Sequence, residues 1–169
     1  DKANVFASMA FWRQVFEERA KAFPELTTEH AYVDAMALNL VLKPWQYDVL
    51  VTENMFGDIL SDLIAALVGG MGMAPSADIG DQYALFQPAH GTAPDIAGQG
   101  IANPTATLLS ATMMLDWLAH WHDDAALADA ARAIEASLAK SFASGAVRPR
   151  EFGGASDTAA IVNAVVEGL

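Results

Sequence analysis

Two aspartates four residues apart, Asp58 and Asp62 in the run NMFGDILSDL, have types and spacing that could do chemistry. On a helix they share one face a turn apart, where like charges repel by roughly a few tenths of a kcal/mol. A place near the helix N-terminus offsets part of that for Asp58. A hard divalent cation would remove it, because Mg2+ and Mn2+ take carboxylate oxygens. No His or Cys flanks the pair, which argues against zinc. The bland alternative is two solvated acids. A third carboxylate, Asp34 in YVDAMA, stands where an extended run turns into a helix, and by position alone it fits an N-cap as well as a ligand. Lys2 taken alone is an ordinary surface lysine. His90-Gly91 opens the loop HGTAPDIAGQGIANP, dense in glycine and proline. A His-Gly step serves metal binding, acid–base work or ligand contact, and no single-residue argument chooses among them.

The elements that must position these residues follow from periodicity. Val5, Met9, Trp12 and Phe16 are spaced as a helix, and Pro24 stops it. Leu26 to Val33 mixes β-branched and polar residues and reads as a strand. A helix over Ala35 to Leu42 follows, ended by Lys43-Pro44. Tyr47 to Val51 is a short apolar run suited to a buried parallel strand. Thr52, Glu53 and Asn54 open the next helix, with Phe56, Ile59, Leu60, Leu63, Ile64 and Leu67 as its apolar stripe. Gly69-Gly70 ends it. Met71 to Ala77 reads as a strand or loop, with Met71 and Met73 as core filler, and Tyr83 to Phe86 as another short strand. Pro104 starts a helix to Trp121 that is apolar nearly all round and so expected to be buried. Ala125 to Ser144 is an amphipathic helix with Leu127, Ala131, Ile134, Leu138 and Phe142 on one face. His120 and His122, two apart, do not face each other and read as a surface helix end. Ser156 or Asp157 caps a last helix with Ile161, Val162, Val165 and Leu169 inward. Strands alternating with helices make the fold class α/β. No strand–GxGxxG–helix unit occurs, so a Rossmann domain is not indicated.

Composition excludes several function classes. The 169 residues carry a net charge of −12, which argues against nucleic acid and anionic membrane surfaces as partners. Without cysteine there is no disulfide framework and no thiolate metal site, compatible with a reducing cytoplasm. No basic region followed by an apolar run marks a signal peptide. Apolar residues are 53% of the chain and charged ones 18%. That is rich for this length, and some apolar faces are expected to need a partner.

The motifs DKANV (Asp1 to Val5) followed by FWR (Phe11 to Arg13), YVDAMA, NMFGDILSDL, HGTAPDIAGQGIANP and GGASDTAAIV together resemble the β-decarboxylating dehydrogenases. This family covers isopropylmalate, isocitrate, homoisocitrate and tartrate/D-malate dehydrogenases, and the isopropylmalate branch is the nearest. The resemblance spans the whole chain, which looks like the second half of such an enzyme and starts at Asp1 rather than Met, as a fragment or processed product would. It implies oxidative decarboxylation of a 2-hydroxy acid bearing a 3-carboxylate, with NAD as hydride acceptor. By resemblance Lys2 is the catalytic general base, reaching across a dimer interface. Asp34 is catalytic and a metal ligand, and Asp58 and Asp62 complete the Mg2+ or Mn2+ site. Asn4 and Val5 would lie near the nicotinamide and substrate. His90, Gly91, Thr92, Ala93, Pro94, Asp95, Ile96 and Asn103 would line the NAD site.

The resemblance also divides the chain, assigning residues 1–68 to a dimerisation and metal-site domain and 69–169 to the C-terminal part of an NAD-binding domain. It implies a homodimer with sites shared across the interface, in the cytoplasm, acting on a small hydroxy-dicarboxylate. Asp95 favours NAD, since a carboxylate accepts from a ribose diol and repels a 2′-phosphate. NADP-using relatives place a basic residue and an aromatic at Asp95-Ile96. Gln87-Pro88 departs from the family's usual Glu-Pro, keeping the shape and losing the charge. The tyrosine that returns the last proton and the arginines that grip the substrate belong to the absent half, so Tyr32 and Tyr47 are not recruited for that role and this chain alone is expected to be inactive. Two further classes stay open: a non-catalytic subunit of a hetero-oligomer, and a structural fragment.

Overall fold

The computed structural model describes all of residues 1–169, which fall into two compact units, Asp1–Leu67 and Val68–Leu169. In the first unit a tight turn precedes helix α1 (Ala7–Ala20), both Val5 and Phe6 donating their amides to the Lys2 carbonyl. Pro24 follows soon after the helix stops, as its missing N–H and ring demand. No α1 residue is buried: Met9, Trp12 and Phe16 are half-covered and Val5 lies in the open. Helix α2 (Val33–Leu42) and helix α3 (Asn54–Leu67) pack around Met36, Leu40 and Leu60, with Ala37, Tyr47, Leu63 and Ile64 against them. The Glu53 carboxylate accepts the amides of Met55 and Phe56, each at 2.9 Å, and so satisfies the first turn of α3. Ile59 and Leu67 of the expected apolar stripe stay exposed.

Neither strand expected in this unit forms. Residues 26–32 are irregular, and α2 starts at Val33 rather than Ala35. Tyr47 to Val51 is also irregular, and Val49 is 88% exposed. An extended segment becomes a strand only when a neighbour takes its N–H and C=O groups, and the sole sheet of the chain lies in the second unit. Asp34 is not the N-cap: Tyr32 holds that place with no side-chain bond, and Asp34 sits in the first turn.

In the second unit Gly69 and Gly70, at φ 116° and 103°, turn the chain out of the helix in a region only glycine enters freely. Strands β1 (Pro75–Ile79) and β2 (Ala84–Pro88) pair antiparallel, Ala77 opposite Phe86. Helices α4 (Thr105–His122), α5 (Ala125–Ala143) and α6 (Thr158–Glu167) supply the rest, α4 packing on the hairpin and on α5, and α5 on α6. Asp124 and Asp157 cap α5 and α6 through their side chains. The core holds Ala106, Ala131, Leu138, Ile161 and Val165. Helix α4 is less buried than its composition suggests, with Met114 and Trp121 exposed, and Leu169 points outward at 67% exposure. His120 and His122 end α4 at the surface, as expected. Helices combined with a strand pair bear out the α/β class.

Candidate functional site

In the first unit the sequence places Lys2 just before α1 and Asp34 in the first turn of α2, and the fold brings them together. Lys2 Nζ lies 2.7 Å from Asp34 Oδ1, with the lysine side chain 21% exposed and the aspartate 68%. The segment before α1 is pinned beside α2: Val33 donates its amide to the Asp1 carbonyl at 2.7 Å. Asp1 accepts from the Ala3 amide through Oδ1 and from Arg13 Nε through Oδ2. The Tyr32 ring lies beneath both cations, 4.7 Å from the Arg13 guanidinium carbon and 5.7 Å from Lys2 Nζ, a favourable use of its negative face. The Lys2 ammonium, donating to Asp34, holds that carboxyl below the usual carboxylate range, helped by its own backbone N–H. Asn4, in the same turn as Lys2, is exposed. Arg13 and Tyr32 are the neighbours that residue-by-residue reading missed, since spacings of eleven and thirty from Lys2 carry no local signal.

Asp58 and Asp62 stand exposed along α3, as their four-residue spacing requires. Asp34, Asp58 and Asp62 do not converge: no three acidic or histidine side chains of one chain gather as a metal group would need. As hard, solvent-open carboxylates they fit a divalent cation in kind, but a single copy does not assemble the set.

In the second unit the residues expected to line a nucleotide site form one continuous loop. His90 Nδ1 lies 2.9 Å from the Gly91 carbonyl. His90, Gly91, Thr92, Ala93, Pro94 and Asp95 are exposed, and Ile96 is half-buried. Ala93 adopts φ 41°, a left-handed conformation, directly before a 3-10 turn over Pro94–Ile96. Gln99 Nε2 donates back to the Asp95 carbonyl at 2.9 Å. Asn103 differs from the rest. It is buried, its Oδ1 accepting from the Thr105 amide and hydroxyl, and its Nδ2 donating to Glu151 at 2.7 Å. Glu151, forty-eight residues further on, has no sequence signal linking it to this loop.

Two groups of candidate residues therefore lie on the chain: a lysine–carboxylate pair with two further acids in one unit, and an open glycine-rich loop in the other. Residues 1–165 match the isocitrate/isopropylmalate dehydrogenase family, and the chain belongs to that family. Among curated relatives, a 3-isopropylmalate dehydrogenase of Shouchella clausii is 47% identical across the whole chain and covered over 46% of its own length. One from Aquifex aeolicus is 57% identical over 69% of this chain and 32% of its own length. Among solved structures, an isocitrate dehydrogenase from Methylococcus capsulatus aligns over 99% of this chain and 48% of its own, with a TM-score of 0.89 and 39% identity. The chain thus spans less than half the length of the relatives it matches.

Proposed function

We propose that this chain contributes the general base, the carboxylates and the nucleotide loop of an NAD-dependent enzyme that oxidatively decarboxylates a 2-hydroxy acid bearing a 3-carboxylate. 3-Isopropylmalate is the substrate favoured by its curated relatives. The observation that carries the reading is the ion pair of a largely covered Lys2 with an open Asp34. Such a pair puts an amine at a fixed point beside a carboxylate that can hold a cation, where a hydroxyl proton can be taken up. Asp34, Asp58 and Asp62 would hold Mg2+ or Mn2+. When bound, the cation supplies Lewis-acid polarisation of hydroxyl and carboxylate oxygens. In its unprotonated form Lys2 would accept the proton of the 2-hydroxyl at Nζ, and Asp34 would keep that nitrogen in place.

The three acids fail to meet in one copy, while α2 and α3 leave Leu38, Val41, Leu42 and Ile59 exposed. Both facts favour a homodimer in which Lys2 and Asp34 of one copy face Asp58 and Asp62 of the other. Residues 1–68 would then serve dimerisation and metal binding, and 69–169 the nucleotide. His90, Gly91, Thr92, Ala93, Pro94, Asp95 and Ile96 would border NAD, Asn103 would support that loop, and Asn4 would lie by the nicotinamide. An exposed Asp95 selects NAD over its 2′-phosphorylated form by repulsion. A cytoplasmic setting accords with a cysteine-free chain, and no helix is long and apolar enough to cross a membrane.

The test is NAD reduction by the full-length protein with Mn2+ or Mg2+, on 3-isopropylmalate, D-malate, tartrate, isocitrate and homoisocitrate. Turnover of 3-isopropylmalate that disappears with EDTA is expected. A folded dimer that binds NAD yet turns over none of the five would make it a non-catalytic subunit.

A further inference from the structure

The second half of the glycine-rich loop is held by the end of the chain. The Thr158 amide donates to the Gly100 carbonyl at 2.9 Å, and its hydroxyl donates to the Ala102 carbonyl at 2.5 Å. Asn103 Nδ2 donates to Glu151 Oε1 at 2.7 Å. Space is reserved for that carboxylate, since a Cβ at Gly72 would stand 2.7 Å from Glu151 Oε1. The segment that does the holding is itself tightly fixed. Ser156 accepts the Arg148 amide on its hydroxyl and returns its own amide to the Arg148 carbonyl. At Gly154 a Cβ would sit 1.9 Å from the Arg148 oxygen, so the backbone passes where no side chain fits. Thr158 is the first residue of α6, behind the Asp157 cap. By contrast, His90 to Asp95 are exposed and have only short-range hydrogen bonds, from His90 to the next residue and from Ile96, Ala97 and Gln99 back to Ala93, Pro94 and Asp95.

A loop that must be ordered before it binds gives up conformational entropy at that moment, and a loop already tied down does not. We propose that Glu151 and Thr158 are positioning residues that set the NAD affinity of loop 90–103 by latching its far half to the C-terminal segment. This rests on the NAD reading above. Glu151 acts through Asn103 as a hydrogen-bond acceptor, so its charge is dispensable. Thr158 acts through two backbone carbonyls, so its hydroxyl is needed and its methyl group is not.

The test compares full-length wild type with Glu151→Ala, Glu151→Gln, Thr158→Val and Thr158→Ser. Hydrogen exchange of residues 97–103 is read without ligand, NAD Kd by calorimetry, and KM for NAD against kcat in the assay. In Glu151→Ala and Thr158→Val the loop exchanges faster and NAD Kd and KM rise about fivefold, the worth of one hydrogen bond. The value of kcat stays within about twofold, because no removed bond differs between ground and transition state. Glu151→Gln and Thr158→Ser restore wild-type exchange and affinity. Faster exchange with unchanged NAD affinity, or no change in either, overturns the latch while leaving the NAD reading intact. A kcat that falls as much as affinity also overturns it. A wild type that binds no NAD removes the reading and this role together.

Discussion

The two units handle their apolar residues in opposite ways. In Val68–Leu169, Ala106, Ala131 and Ile161 reach 0% exposure. Hydroxyls buried with them find partners inside the unit, Ser137 donating to the Val165 carbonyl and Ser141 to the Ser137 carbonyl. In Asp1–Leu67, α1 buries nothing, and the buried cluster reduces to Met36, Leu40 and Leu60. Most of the large apolar side chains left in the open belong to this smaller unit, among them Phe11, Leu38, Val41, Trp45, Val49 and Ile59. The difference separates two tasks. The second unit closes its own core and so can present a shaped loop, whereas the first carries its charged groups on a surface whose apolar area expects a cover. Chemistry and cofactor binding should therefore respond separately to mutation.

Lys2→Met gives the largest expected effect and the sharpest break. It removes the proposed general base from the first unit and should lower kcat by roughly 10³-fold, with NAD Kd unchanged by calorimetry. If NAD affinity falls with kcat, the division of labour is wrong. Next is Ile161→Ala in the closed core of the second unit, expected to cost about 3 kcal/mol in denaturant unfolding. Leu40→Ala in the sparse first core should lie at the low end of that series, near roughly 2 kcal/mol, because half-open neighbours can relax. Equal losses would mean the two cores are alike after all. Smaller still in stability is Leu38→Glu. Leu38 is 60% exposed, and an exposed substitution stays within about 0.5 kcal/mol. Yet if α2 and α3 meet a second copy, sedimentation should show a monomer where the wild type is a dimer. A wild-type sedimentation profile for this variant would free that face from the interface.

How much was legible in the sequence follows the same division. Wherever a residue's partner lies within a turn or two, the reading holds: α5 runs from Ala125 to within one residue of its expected end, Asp157 caps α6, and Gly69-Gly70 breaks the helix before it. Asp58 and Asp62 share a face because four-residue spacing on a helix demands it. It fails where the outcome depends on distant chain. Leu26 to Val33 and Tyr47 to Val51 have strand composition, but a strand is a property of a pair: Ala31 and Val33 bond only the single residue Asp1, and Tyr47 to Val51 joins no ladder. Ile59 and Leu67 fit an inward stripe by period alone, while only packing decides which part of the stripe is covered. The contact between Lys2 and Asp34 joins positions thirty-two apart, and the bond from Asn103 to Glu151 joins positions still further apart. Family resemblance pointed to Lys2, Asp34 and Asn103 by their motifs. It gave no warning that the Asn103 side chain would be spent on Glu151.

The smallest effect reads the Lys2–Asp34 pair directly. The lysine ammonium holds the Asp34 carboxyl below its ordinary value in the folded chain, whereas an aspartate in an unfolded chain titrates at about 3.9. A carboxyl depressed on folding adds stability that is present above the unfolded value and lost as pH falls through the folded one. Because Asp34 is open to solvent, that contribution is small. In the metal-free protein kept in EDTA, Lys2→Met should return the Asp34 carboxyl, followed by NMR, toward its ordinary value. The difference in melting temperature between wild type and variant should then hold steady at neutral pH and narrow as pH drops below about 3.9. A difference that stays constant through the acid range would mean Lys2 is held by its packing beside Tyr32 and not by Asp34. The amine would then be placed in the first unit without its carboxylate.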